Sequence, residues 1–129
     1  MAQGMRQLRF RVVRPKLRRN LAVVKLQGFI NAGSIAEFEA LLDELLLERQ
    51  IDIVLDFNQV SYVNSSGISA VLNYHHAQRA KGGDLVLIRV HRPVAIVMHQ
   101  LGVTPIVPIL RDEQEALDYL ARTPSGQRV

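Results

Sequence analysis

The chain has 129 residues, 48% of them hydrophobic and 22% charged, with no cysteine and a formal net charge of +4. That length favours one domain with a core of its own, and the apolar fraction excludes disorder over most of it. The missing cysteines exclude disulfides, thiolate metal sites and a cysteine nucleophile, and no apolar run approaches the roughly 18 residues of a membrane span.

The opening Met1–Arg6 lacks the apolar stretch of a signal peptide, so a soluble protein of the cytoplasm is expected. Basic residues then crowd the start. Arg6, Arg9, Arg11, Arg14, Lys16, Arg18, Arg19 and Lys25 make eight of the sixteen cations, while the first acid is Glu37. Leu8–Val13 begins with alternating polar and apolar residues and predicts a half-exposed strand. Residues 14–20 form a polar turn, and Leu21–Leu26 a second strand ended by Gln27 and Gly28, so the two make a hairpin. Positive charge on such an edge strand blocks edge-to-edge pairing and is the simplest account of the basic segment. With Phe10 as its lone aromatic and no helix-turn-helix or RNA-binding signature, nucleic acid is not favoured as a partner.

Ser34 and Glu37 stand at capping-box spacing. Ile35, Phe38, Leu41, Leu42, Leu45 and Leu46 follow at helical spacing, giving an amphipathic helix that ends near Arg49. Ile51–Phe57 is a short β-branched run, a central buried strand, with Asp56 at its end capping the turn. Val60–Val63 leads to Asn64, Ser65, Ser66 and Gly67, where a second helix begins. Ile68, Val71, Leu72 and His75 share one face of it, and Gly82–Gly83 stops it. Asp84–Val90 is another apolar strand. Pro93 suits a first helical turn, and Val94, Val97, Met98 and Leu101 form the inner face of a short helix ended by Gly102. Val103–Leu110 reads as a strand that its two prolines confine to the edge or end of the sheet. Asp112 and Glu115 open a last helix through Leu117 and Leu120, and residues 122–129 form a flexible tail. Strands separated by helices imply right-handed crossovers and a mostly parallel sheet. The predicted core is Val24, Leu26, Ile35, Phe38, Leu42, Leu45, Ile53, Leu55, Ile68, Leu72, Leu85, Leu87, Val94, Val97 and Leu117.

The segment Asp56–Ile68 carries the most information. It runs from a buried strand to two serines at a helix start, where free amides and the positive end of the helix dipole gather. Asn64 or one of the serines caps them. A phosphate there would suit the helix end and add about −1.5 to −2 charges to the surface it lies on, the chemistry of a reversible interface switch. Other chemistries fit less well. An aspartate-phosphorylated receiver needs an acid pair after its first strand, and no acid precedes Glu37. A hydrolase built on Ser65, His75 or His76, and Asp56 lacks the G-x-S-x-G elbow. Adjacent His75 and His76 on a helix point about 100° apart, and neither they nor His91 and His99 form a metal-binding spacing. No nucleotide-binding loop is present, and no cofactor is expected.

Three segments together resemble the STAS domain of bacterial anti-sigma factor antagonists. Val24–Asn31 is similar to the strand that ends in a glycine, an acid, an apolar and a polar residue. Asp56–Gly67 resembles the signature: a strand, an apolar-x-aromatic-apolar step, then Asp-Ser-x-Gly. Gly82–Ile88 resembles the strand after the signature helix. The resemblance covers residues 6–121 and implies an α/β STAS fold over a single domain 1–129. The expected sheet is mixed and mostly parallel, with about five strands, an antiparallel N-terminal hairpin strand and about four helices. It also implies a non-enzymatic regulator that binds an anti-sigma factor with serine kinase activity, is released by phosphorylation of the serine after the signature acid, and is restored by a phosphatase. Carried onto this chain, the acceptor is Ser65, and Asn31, Asn64, Ser66 and Gly67 belong to the partner-binding switch; a homodimer is also compatible. Two positions depart from the pattern: Asn64 replaces the signature aspartate, and Phe29 stands where many antagonists have an acid. Both make the partner face less acidic. The alternative is a STAS interaction module that is not phosphorylated and serves as a scaffold subunit.

Overall fold

The computed structural model describes residues 7–16 and 18–122. The elements run β1 (Leu8–Val13), β2 (Leu21–Ile30), α1 (Ile35–Leu46), β3 (Asp52–Val63), α2 (Ser65–Ala80), β4 (Asp84–Ile88), α3 (Arg92–Gln100), β5 (Ile109–Leu110) and α4 (Glu113–Arg122). The five strands form one sheet in chain order, β1-β2-β3-β4-β5. β1 pairs antiparallel to β2 with Phe10 opposite Leu26, and every later pair is parallel.

That order fixes the layers. Each crossover from β2 to β5 steps one strand in the same direction, so right-handed connections put α1, α2 and α3 on one face. The larger core lies there, with Phe38 and Leu42 of α1, Ile68 and Val71 of α2 and Met98 of α3 packed on Val24, Leu55 and Leu87. α4 covers part of the other face, where Ala116 and Leu120 pack on Leu21, Val23, Val54, Val86 and Ile88. Of the predicted core, Val97 is a correction: it is 38% exposed, as is the neighbouring Leu101 at 51%. α3 is short and meets the sheet along the narrow stripe of Val94 and Met98, one turn apart. Ile35, Leu72 and Leu117 are only partly buried.

The strands differ from expectation in length. β2 continues through Gly28 to Ile30, because Gly28 adopts φ +115° and lets β1 approach. A Cβ there would sit 2.1 Å from the Gln7 carbonyl oxygen. β3 is one strand of 12 residues, so Asp56 lies within it rather than at its end. The Asp56 side chain accepts the Asn58 amide at 2.9 Å where the register with β2 shifts, and pairing resumes at Gln59. β5 is confined to Ile109–Leu110, and Val103 instead accepts the Ile106 and Val107 amides in a tight turn. Pro105 and Pro108 lack the donors that would extend the strand. α1 ends at Leu46, short of Arg49. The tail from Thr123 and the residues before Gln7 lie outside the described residues.

The Ser34–Glu37 capping box does not form. Buried Ser34 donates to the Phe29 carbonyl at 2.6 Å and accepts the Asn31 amide at 3.1 Å. With β2 running to Ile30, those end groups need partners inside the protein, and the serine meets them instead of the α1 amides. The Asp112–Glu115 start of α4 is present: the Asp112 carboxylate accepts the Glu115 amide at 2.9 Å.

Candidate functional site

Ile30 and Val63, the last residues of two parallel strands, are paired. The chain leaves both strands at the same rim of the sheet, and two asparagines follow. The Asn64 amide donates to the Ile30 carbonyl at 2.9 Å, which ties the two exits together. The Asn31 side chain accepts the Gly33 amide at 2.9 Å, and its carbonyl accepts the Ser34 and Ile35 amides. Asn64 is extended, at φ −84° and ψ 177°, and its side chain accepts the Gly67 amide at 2.9 Å. That is an N-cap bond, and it settles which residue caps α2: Asn64, not Ser65 or Ser66.

Gly67 is buried against this joint. A Cβ there would meet Ile30 Cγ2 at 2.6 Å and Val63 Cγ1 at 2.8 Å. The glycine therefore lets the first turn of α2 sit directly on the two strand ends. Ser65 and Ser66 point the other way and are exposed. Ser65 is the first residue of a 16-residue helix with no acid in its first turn. A dianion on its hydroxyl would meet the positive end of the helix dipole and no competing carboxylate on that turn. The structure thus brings Asn31, Asn64, Ser65, Ser66 and Gly67 to one rim, the first, second and last as framework and the serines as surface.

The sequence singled out Phe29 on the partner face but not its aromatic partner beside this rim, Tyr62. Phe29 and Tyr62 are partners in the β2–β3 register and are 45% and 51% exposed. The register shifts in both strands hide their exposure from any alternation rule; their positions within the two motif segments were the available signal.

The hydrolase constellation does not assemble. His75 lies ten residues along α2 from Ser65, about 15 Å at 1.5 Å per residue. It is buried, with Nδ1 2.8 Å from the Leu85 carbonyl oxygen and 3.6 Å from Asp84 Oδ1. His76, His91 and His99 are exposed. No group of three or more metal-ligating side chains occurs among the described residues. Nor is any helix among them long and apolar enough to cross a membrane.

The STAS domain family model matches residues 13–116. The chain belongs to the STAS domain family. It is 28% identical over 103 residues to an anti-sigma F factor antagonist of Paenibacillus polymyxa, covering 79% of this chain and 88% of that protein. It is 27% identical over 96 residues to BtrV of Bordetella bronchiseptica, described as a putative anti-sigma factor antagonist, covering 74% and 83%. Among solved structures, an anti-sigma factor antagonist from Mycobacterium paratuberculosis superposes with a TM-score of 0.77 at 16% identity, covering 88% of this chain and 94% of that one. Unphosphorylated SpoIIAA gives 0.72 at 21%, covering 91% and 100%. The five-stranded mixed sheet and helical layers described above are thus the STAS fold, and this STAS protein is anti-sigma factor antagonist-like.

Proposed function

We infer that this STAS protein is a non-catalytic cytoplasmic regulator that binds an anti-sigma factor bearing serine kinase activity and is released when that kinase phosphorylates Ser65. The observation that carries this reading is the exposed Ser65 hydroxyl on the first residue of α2, beside a cap that Asn64 and Gly67 hold rigid. The rim from Asn31 to Gly67, with exposed Phe29 and Tyr62, is the docking surface. A phosphate adds about −1.5 to −2 charges at its centre without disturbing the helix, so it blocks docking by charge and by the cost of desolvating a dianion. A phosphatase restores the surface. The chain acts as one STAS unit.

The neutral Asn64 and the apolar Phe29 also suit a permanently engaged scaffold subunit that is never phosphorylated. One experiment separates the two. The wild-type protein, Ser65→Ala and Ser65→Asp are each used as bait in the native lysate, and the captured partner is quantified. The switch reading expects one partner kept by Ser65→Ala and lost, by about tenfold or more, by Ser65→Asp, with both variants folded. Equal capture by Ser65→Asp would leave the scaffold reading.

A further inference from the structure

α4 covers only part of its face of the sheet. Beside it, across β1, β2 and β3, an open cleft of about 440 Å³ remains, lined by Arg9, Arg11, Lys25, Gln27, Asp56 and Arg89 among others. Register places these residues: Arg9 is opposite Gln27, Arg11 opposite Lys25, and Lys25 opposite Asp56. The next row, Val13, Val23 and Val54, belongs to the smaller core under α4. Among the described residues, four cations therefore line the cleft beside one carboxylate. Arg11 and Lys25 make no ion pair among the described residues.

Two details set this apart from a merely solvated basic strand. Asp56 is only 5% exposed, fixed at the floor by the Asn58 amide at 2.9 Å, with Arg89 Nε 3.8 Å from its Oδ2. Arg89 itself is held at φ +56°, the left-handed region that a glycine would occupy without strain. A strained backbone that carries a charged side chain over a cleft is a common mark of a binding site.

We propose that this cleft binds a small phosphate ester that also carries hydroxyl groups, as sugar phosphates do. The arginine and lysine rim takes the phosphate, with charge-assisted bonds and a fork geometry suited to its oxygens. The buried Asp56 carboxylate accepts hydrogen bonds from the ligand's hydroxyls. The carboxylate is what selects the class: it disfavours a bare anion or a flat anionic surface and favours an anion with donors beside it. The volume is that of a small-molecule site. The inference is independent of Ser65.

The test is a titration of the full-length ¹⁵N-labelled protein, followed by amide NMR shifts, with glucose 6-phosphate, inorganic phosphate and phosphatidylglycerol vesicles as separate probes. The expected result is saturable shifts with glucose 6-phosphate, centred on Arg11, Lys25, Asp56 and Arg89, and affinity for inorganic phosphate weaker by about tenfold. Lys25→Gln should weaken the sugar phosphate by about tenfold, and Asp56→Asn should erase its advantage over inorganic phosphate. Arg89→Gly, which relieves the backbone, should keep the fold and still lose affinity, so a failure of Asp56→Asn to fold leaves the question decidable. Equal, unsaturable shifts with both soluble probes would overturn the proposal and leave an edge-protecting basic strand. Binding to the vesicles alone would overturn it in favour of a membrane surface.

Discussion

Ser65 owes its position to two neighbours that are framework rather than surface. Asn64 accepts the Gly67 amide, and Gly67 presses on Ile30 and Val63. Asn64→Ala should therefore cost about 1 kcal/mol by urea denaturation, as lost caps do, whereas Asn64→Asp should be close to neutral. Ser65→Ala should stay within about 0.5 kcal/mol of wild type, because the serine holds no cap bond. Gly67→Ala forces a methyl into two branched side chains and should cost about 1–3 kcal/mol, with Ser65 displaced as a result. A wild-type melting curve for Gly67→Ala would mean that the rim is softer than these contacts imply. The sequence alone placed Ser65, Asn64 and Gly67 at a helix start. Which residue capped it was open, since three candidates stood in a row and only the side-chain direction decides among them.

At the scale of elements, α1 and α2 are joined by Tyr74, whose hydroxyl lies 2.5 Å from Asp43 Oδ1 and 3.1 Å from the Glu39 carbonyl oxygen. Burial first, then the bond to Asp43, raises its phenol well above the ordinary value of 10.0. A group whose folded value is raised contributes stability that is complete below its unfolded value and fades as pH rises through the folded one. Tyr74 should thus remain protonated beyond the ordinary phenol range in an alkaline absorbance titration. Tyr74→Phe should remove the portion of alkaline destabilisation that accompanies its ionisation. The helices were legible because their apolar spacing is regular, and the start of α2 was legible to within Asn64–Gly67. The strand limits were not. β2 passes through Gly28 and β3 through the shift after Asp56, and a period-two pattern breaks at both. In β5 the run Val103–Leu110 is apolar enough for a strand, but prolines remove its donors. α3 misled in the opposite way: Val97 lies on a plausible helical face that the sheet does not reach.

For the whole molecule, the sequential strand order means that every parallel crossover adds to one shared core, centred on β3 between its two neighbours. Leu55 is fully buried in that core. Leu55→Ala should cost about 2–5 kcal/mol in chemical denaturation, several times the effect of any change at Ser65. Stability and the proposed switch are thereby separated in space, so a charge added at Ser65 would not threaten the fold. Charge is separated as well. The cations of β1 and β2 face the open side of the sheet, while exposed Glu37, Glu39, Asp43 and Glu44 lie along α1 on the other. The charge imbalance was visible in the sequence, but the cleft was not, because it depends on how far α4 extends over the sheet. The central claim is that Ser65 is a switch. Intact-mass measurement with site mapping, on the protein isolated from its native cells with phosphatase inhibitors present, tests it most directly. The account predicts a single added phosphate, on Ser65, in at least one growth condition; an unmodified Ser65 under every condition, or phosphate placed on Ser66 instead, would contradict it.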